Sequence, residues 1–249
     1  MQRKEWESVT IEIMEKENMR SSTSGSVLNT ALRQVTPIIM GYVPVGAAFG
    51  VLAHKTGLSM LSTVLMSTFV FAGSAQLIAV AMFASGLPPF SIIVTTFIVN
   101  LRHLLMSASL APNLKGWGRV EMALFSYEIT DESFAVHSSR FGAGDTSKSV
   151  SFLINGLAHI SWILASWIGF LAGSAVPDIR PLGLDYALPA MFIALLSMQV
   201  KNGLHVFVAG VTGMASIALI QSGADQWSVI LATLIGATLG AGVESWMKE

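Results

Sequence analysis

The chain has 249 residues, of which 53% are hydrophobic and only 12% charged, and its formal net charge is -1. Soluble domains carry about 25% charged residues, so there is too little charge here to cover a water-facing surface; a polytopic membrane protein fits, and a soluble globule does not. The weak net charge offers no basic field for nucleic acid, and the absence of cysteine removes disulfides, thiolate catalysis and thiolate metal sites together.

Residues 1–29 read as a solvated arm. Charges interrupt "MQRKEWESVTIEIMEKENMR" throughout, so no signal-peptide core forms, and a short helix is expected before the Ser/Thr-rich linker at 21–26. From residue 30 to 249 the pattern is that of one transmembrane domain, an all-α polytopic bundle of about seven or eight membrane segments. Apolar stretches fall at 37–53, 58–86, 88–111, 149–174, 187–200, 203–222 and 226–246, each judged against the ~20 residues needed to cross. The 58–86 stretch is too long for one straight helix. Its "FAGSAQ" predicts a broken helix near residue 73, where small residues release the backbone before a helix restarts.

Residues 119–138, "RVEMALFSYEITDESFAVHS", mix four acids with Val, Met, Leu, Phe, Tyr and Ile. A surface amphipathic helix is the plain reading, and the positive-inside rule tests it. With this segment left out of the membrane and a cytoplasmic N-terminus, Arg3, Lys4, Lys16, Arg20, Arg33 and Arg180 lie inside. Lys55, Lys115, Arg119, Arg140, Lys148, Lys201 and Lys248 then lie outside, which gives no bias. If the segment crosses, Arg140, Lys148, Lys201 and Lys248 move in and Arg180 moves out, leaving nine positives inside against four outside. The crossing version is therefore expected. It brings Glu128, Asp131 and Glu132 into or near the membrane. A weak similarity between residues 50–76 and 169–199 (Gly-x-Leu-Ala, Gly-Leu, closing Gln) hints at an internal repeat but carries little weight.

The polar residues within apolar surroundings are the candidates for function. Arg102 costs roughly 2.5–3.5 kcal/mol at a membrane centre, so it is expected to face a partner or a cavity, with Asp131 or Glu132 as counter-charge. His103 beside it joins these three as a candidate proton and charge relay. Asn100, one helical face away, joins Gly73, Ser74, Ala75 and Gln76 as candidate substrate contacts. A helix restarting at "AGSAQ" exposes unpaired N–H groups and the positive end of its dipole, which suits a carboxylate; close helix packing by the small residues explains the same letters equally well. Asn155 and Gln199 read as interhelical hydrogen-bond glue, and His159 and His205 as packing residues.

"PVGAAFGVLA", "FAGSAQ", "NLRHLLMSASL", "TDESFA" and "LPAMF", in this order and spacing, resemble the AzlC family, the large subunit of bacterial branched-chain amino-acid exporters. The resemblance covers about residues 30–246. Its motif positions fall on Pro44 and Gly50, Ala72 to Gln76, Arg102 and His103, Thr130 to Phe134, and Pro189. It implies export of valine-type amino acids from the cytoplasm across the bacterial plasma membrane, jointly with a small AzlD-type subunit in the lipid bilayer. Gradient coupling through protonatable groups is the leading mechanism. No G-x-x-x-x-G-K-[ST] or H-E-x-x-H sequence occurs, so neither ATP hydrolysis nor zincin chemistry is expected and no cofactor is called for. The alternative from another class is an intramembrane hydrolase using Ser74 with His159 or His205 as base.

Overall fold

The computed structural model describes residues 2–176, 202–223 and 228–246, with scattered positions between 183 and 200; side chains are described from Ser26 onward, excepting 229, 230, 244 and 246. The predicted span 187–200 thus lies largely outside the described residues. Nine α-helices are described: α1 (Gln2–Lys55), α2 (Met60–Phe69), α3 (Gly73–Ala84), α4 (Pro89–Leu110), α5 (Arg119–Tyr127), α6 (Asp131–Gly142), α7 (Lys148–Ala172), α8 (Gly203–Gln221) and α9 (Ser228–Trp246). They form two compact units, residues 1–189 and 190–249. Among the described residues, four stretches are long and apolar enough to cross a membrane: Ser26–Lys55, Pro89–Asn113, Lys148–Ala172 and Gly203–Gln221.

The expected arm is helical, and α1 runs from Gln2 through the Ser/Thr segment without a break. No interruption marks a boundary at residue 29 or 30.

The wall of the first unit is α1 packed against α7. Ala31, Val35 and Ile38 share a buried cluster with Val150, Ile154 and Ala158. Further along, the Tyr42 ring meets Trp162 at 5.3 Å and the His54 ring meets Phe170 at 4.9 Å. Residue numbers rise together on both helices, so the two run in the same direction. Their backbones touch at two glycines: a methyl group on Gly50 would overlap the Ser166 carbonyl, and one on Gly169 the Ala47 carbonyl. Where lipid is as apolar as leucine, such close approach and its dispersion gain hold helices together.

Between these walls lie two helical hairpins. Gln76 Nε2 donates to Ser67 Oγ at 3.1 Å, whereas nine residues of continuous helix would separate them by about 13 Å. The chain therefore doubles back at Val70–Ala72, and α2 and α3 enter and leave on one side. The 119–138 segment behaves likewise. Phe125 on α5 packs against His137 at 4.9 Å and Phe141 at 6.1 Å on α6, so this segment also turns back, at Glu128–Thr130. This corrects the expected crossing. Nine and twelve residues are half-spans, and the charge count behind the expectation weighed only a surface helix against a full crossing, not a segment that turns back.

Both ends of the second hairpin sit beside the start of α7. Lys148 bonds Glu121 Oε2 at 2.6 Å, holding that carboxyl below its usual range together with the Gly118 N–H. Arg140, nearly fully buried, bonds Asp145 Oδ2 through Nε (3.1 Å) and Nη2 (2.9 Å), and Ser151 through Nη1 (3.0 Å). Partial burial of Asp145 opposes ionisation, but the Ser147 N–H and the Arg140 guanidinium outweigh it and hold the carboxyl below its ordinary value.

The tips reach the level of His159 and Trp162. His159 lies eleven residues into α7, about 17 Å from its start, halfway along a helix of spanning length. The two hairpins thus approach one midplane from opposite faces.

The second unit contains α8 and α9. A methyl group on Gly236 would overlap Thr212, and one on Gly240 would touch Val208. Falling numbers pair with rising ones, so these helices are antiparallel.

Candidate functional site where the hairpin tips meet

Arg102 occupies the junction. It sits thirteen residues into the 22-residue α4, about 20 Å from the start of that helix. Its Nη2 pairs with Asp131 Oδ2 at 3.0 Å and donates a short hydrogen bond to Ser74 Oγ. Asp131 is the first residue of α6 and Ser74 the second of α3. One guanidinium therefore ties together the starts of both inner half-helices. The expected counter-charge is found, and Asp131 is its bearer. Glu132 turns elsewhere: its Oε2 accepts the Tyr42 hydroxyl proton at 3.0 Å, and the same hydroxyl lies within hydrogen-bond distance of Thr130 Oγ1.

The two helix starts differ. Thr130 caps α6, accepting from the Ser133 N–H at 3.3 Å, while Ser133 Oγ returns a bond to the Thr130 N–H at 2.9 Å. Asp131 and Glu132 add negative charge where the helix dipole is positive. α3 begins at Gly73 after Ala72, with no side-chain cap and no acid in its first turn. Its first N–H groups lack the intrahelical partners that later residues have.

Gln76 is fully buried, and both ends of its amide are engaged: Nε2 by Ser67, Oε1 by the Trp162 indole N–H at 3.0 Å. Ser67 in turn bonds Ser166 Oγ at 2.8 Å. The residue thus binds the first hairpin to α7, and its neighbours Gly73, Ser74 and Ala75 form the helix start itself. On α4, Asn100 Oδ1, Arg102 Nε and His103 Nε2 are buried atoms without a hydrogen-bond partner among the described residues. All three flank the Arg102–Asp131 pair along one helix. Polar atoms in this condition are costly unless something else meets them.

One participant escaped sequence reasoning. Tyr42 reads as one aromatic among many, yet its hydroxyl spans to residues 130 and 132. Glu128, expected in or near the membrane, closes α5, and His159, read as a packing residue or as the base of the hydrolase alternative, approaches Glu128 Oε1 through Nδ1 at 3.6 Å and the Ser67 carbonyl through Nε2 at 3.2 Å. Phe71, stacked on His159 at 3.9 Å between centroids, holds φ at +42°. A non-glycine residue there costs roughly 1–2 kcal/mol, supplied by the packing around a buried ring. Tyr127 completes the junction by donating to the Thr68 carbonyl. Ser74 Oγ meets a guanidinium rather than a general base, so the geometry gives the hydrolase alternative no activated nucleophile. His205 begins the second unit, its N–H bonded to Asn202 Oδ1 at 3.0 Å. Among the described residues no group of His, Asp and Glu is arranged to hold a metal ion.

The AzlC protein family model matches residues 37–176, taking in the C-terminal part of α1 from Pro37 onward, both hairpins, α4 and α7. Among curated relatives, the branched-chain amino acid transport protein AzlC of Bacillus subtilis (strain 168) is 27% identical over 206 residues, covering 82% of this chain and 80% of the relative. Inner membrane protein YgaZ of Escherichia coli (strain K12) is 29% identical over 238 residues, with 91% and 93% covered. An uncharacterized membrane protein of Archaeoglobus fulgidus is 30% identical over 226 residues, with 89% and 97% covered. No solved structure gives a significant match. With the hairpins, Arg102 and the α1–α7 wall all inside the matched segment, the chain belongs to the AzlC family and is a multi-span protein of the plasma membrane.

Proposed function

We propose that this chain exports branched-chain, valine-type amino acids from the cytoplasm, coupled to an ion gradient and acting with a small AzlD-type subunit. The observation that carries the reading is the uncapped start of α3 facing an ion-paired arginine in mid-membrane. The substrate carboxylate is received by the N–H groups of Gly73, Ser74 and Ala75, with Asn100 alongside, as half-helix starts do in other transporters. Gln76 holds that start in position through Ser67 and Trp162. The substrate ammonium group is balanced by Asp131 and Glu132. Protonation of Asp131 releases Arg102, giving two arrangements that a gradient biases, with His103 as the adjacent proton acceptor. The printed name of the Bacillus relative supports the substrate class.

Orientation follows from charge. With both hairpins re-entrant, Arg3, Lys4, Lys16, Arg20, Arg33, Lys115, Arg119, Arg140 and Lys148 belong to the side where α1 enters. Up to the end of α7, and leaving aside Arg102 within α4, only Lys55 belongs to the other among the described residues. Nine against one puts that entry side in the cytoplasm.

The test is efflux of radiolabelled valine from loaded proteoliposomes, with and without a proton gradient and with and without the small subunit. Gradient-dependent efflux that requires both chains is expected. Full efflux by the single chain removes the partner from the proposal, and efflux indifferent to the gradient removes the coupling.

A further inference from the structure

Two histidines on facing elements have opposite surroundings. His137 lies between an acceptor and a donor: Nε2 meets Asn155 Oδ1 at 2.8 Å, and Nδ1 meets Arg140 Nη1 at 3.4 Å. A neutral imidazole with its proton on Nε2 satisfies both. His159 lies between two acceptors, the Ser67 carbonyl and the Glu128 carboxyl. A neutral imidazole satisfies only one of them. With the proton on Nε2, the Nδ1 lone pair faces a carboxylate oxygen unless a second proton sits between them.

That second proton has a mechanical meaning. Ser67 belongs to the first hairpin and Glu128 to the tip of the second, so His159 touches both at midplane. We propose that His159 and Glu128 form a proton-dependent latch that joins the two hairpin tips when protonated and parts them when the proton leaves. The proton is taken from water on one side, held between Nδ1 and Oε1, and returned to water, with no other bond changed.

The groups around His159 leave this role to Glu128. α5 also offers Tyr127, whose hydroxyl is engaged by Thr68. On α6, Asp131 and Glu132 are held by Arg102 and Tyr42, while His137 and Arg140 are bonded to Asn155, Ser151 and Asp145. α1 contributes Tyr42, and α2 and α3 carry no titratable side chain. The latch rests on the transport reading for its purpose, and its existence is measurable without transport.

The chain has no cysteine, and Ala72 at the first tip is 1% exposed. Ala72→Cys therefore reports tip separation through its reaction with a small thiol reagent. Labelling is followed from about pH 5 to about pH 8 in Ala72→Cys alone and combined with Glu128→Gln or His159→Gln. The ratio of the single to the combined variant cancels the thiol's own titration. Glu128→Gln donates permanently to Nδ1 and keeps the tips joined. The ratio is expected to rise with pH by about tenfold, as a minor parted state of roughly 0.1–10% gains population. A ratio that stays constant with pH against both combined variants overturns the latch. Loss of efflux with the rising ratio intact strikes the transport reading alone.

Discussion

The two hairpins share a shape and differ at their tips. The first turns on Phe71 in a left-handed backbone and restarts without a cap or a charge. The second turns on Glu128–Thr130, restarts with a reciprocal Thr130–Ser133 cap, and carries Asp131 and Glu132 in its first turn. Two starts of equal geometry thus present opposite chemistry: one offers unsatisfied donors, the other acceptors. An amino acid carries both complementary groups on neighbouring atoms. The difference teaches that inverted half-helices need not be chemically equivalent to meet at one place; in the proposed site, that inequality would give a zwitterion a direction.

Re-entry itself is the sharpest thing to break. Cysteines at Gly57 and Ser85 flank the first hairpin, and cysteines at Gly116 and Ser147 flank the second. Impermeant thiol labelling of intact cells should reach both of the first pair and neither of the second. Labelling of one member of either pair shows a hairpin that crosses.

The link between the tips ranks next. Arg102→Glu sets two carboxylates together at a half-buried pair and should cost less than the ~3–5 kcal/mol of breaking a fully buried one, abolishing export and lowering the yield of folded protein. Asp131→Arg on the same background should restore yield without restoring export. A double mutant no better folded than its singles denies the pairing its role in assembly.

The capping difference can be reversed in smaller steps. Thr130→Ala should lower thermal stability by about 1 kcal/mol. Ala72→Ser should raise it by a similar amount while weakening substrate affinity, because the new hydroxyl competes for the N–H groups proposed to bind carboxylate. Affinity unchanged in Ala72→Ser returns the first tip to a packing role.

The smallest effect lies at the base of the second hairpin. Asp145 is held below its ordinary pKa in the folded chain, so its contribution is full above the unfolded value near 3.8 and fades as pH falls through the folded one. At its partial exposure this is worth no more than about 1 kcal/mol. Acid melting curves should therefore differ between the native chain and Asp145→Asn at neutral pH and converge towards pH 3. Curves that stay parallel remove the carboxylate from the account.

Much of this was readable in the sequence. The break at "FAGSAQ" follows from small residues in an overlong apolar run, and the Arg102–Asp131 pair from the cost of a lone charge in hydrocarbon. The reversal of direction was not readable, because a hairpin of two half-helices and an interrupted span have the same composition. Gln76 illustrates a second limit: its amide could equally meet a ligand or Trp162, and only the fold brings residue 162 to it. His159 shows a third, since the two acceptors that define its chemistry lie 92 and 31 positions away and one of them is a backbone oxygen. The short N-terminal helix was readable, since Glu-, Lys- and Met-rich segments are good helix formers; its continuation through the Ser/Thr segment into α1 was not.

The parallel contact of α1 with α7 has a consequence for how the chain is made. Gly50 meets Ser166 and Gly169 meets Ala47 across more than a hundred residues of intervening sequence. Parallel neighbours admit no short connection, so every element between them is synthesised before the wall exists. α2, α3, α5 and α6 are each too short to span lipid, and their end groups are unpaired there. They reach the bilayer as waiting pieces, and the last turns of α7 let them lock. Formation of such distant contacts is intrinsically slow, and truncation just before α7 should leave the preceding helices inserted but open to proteolysis.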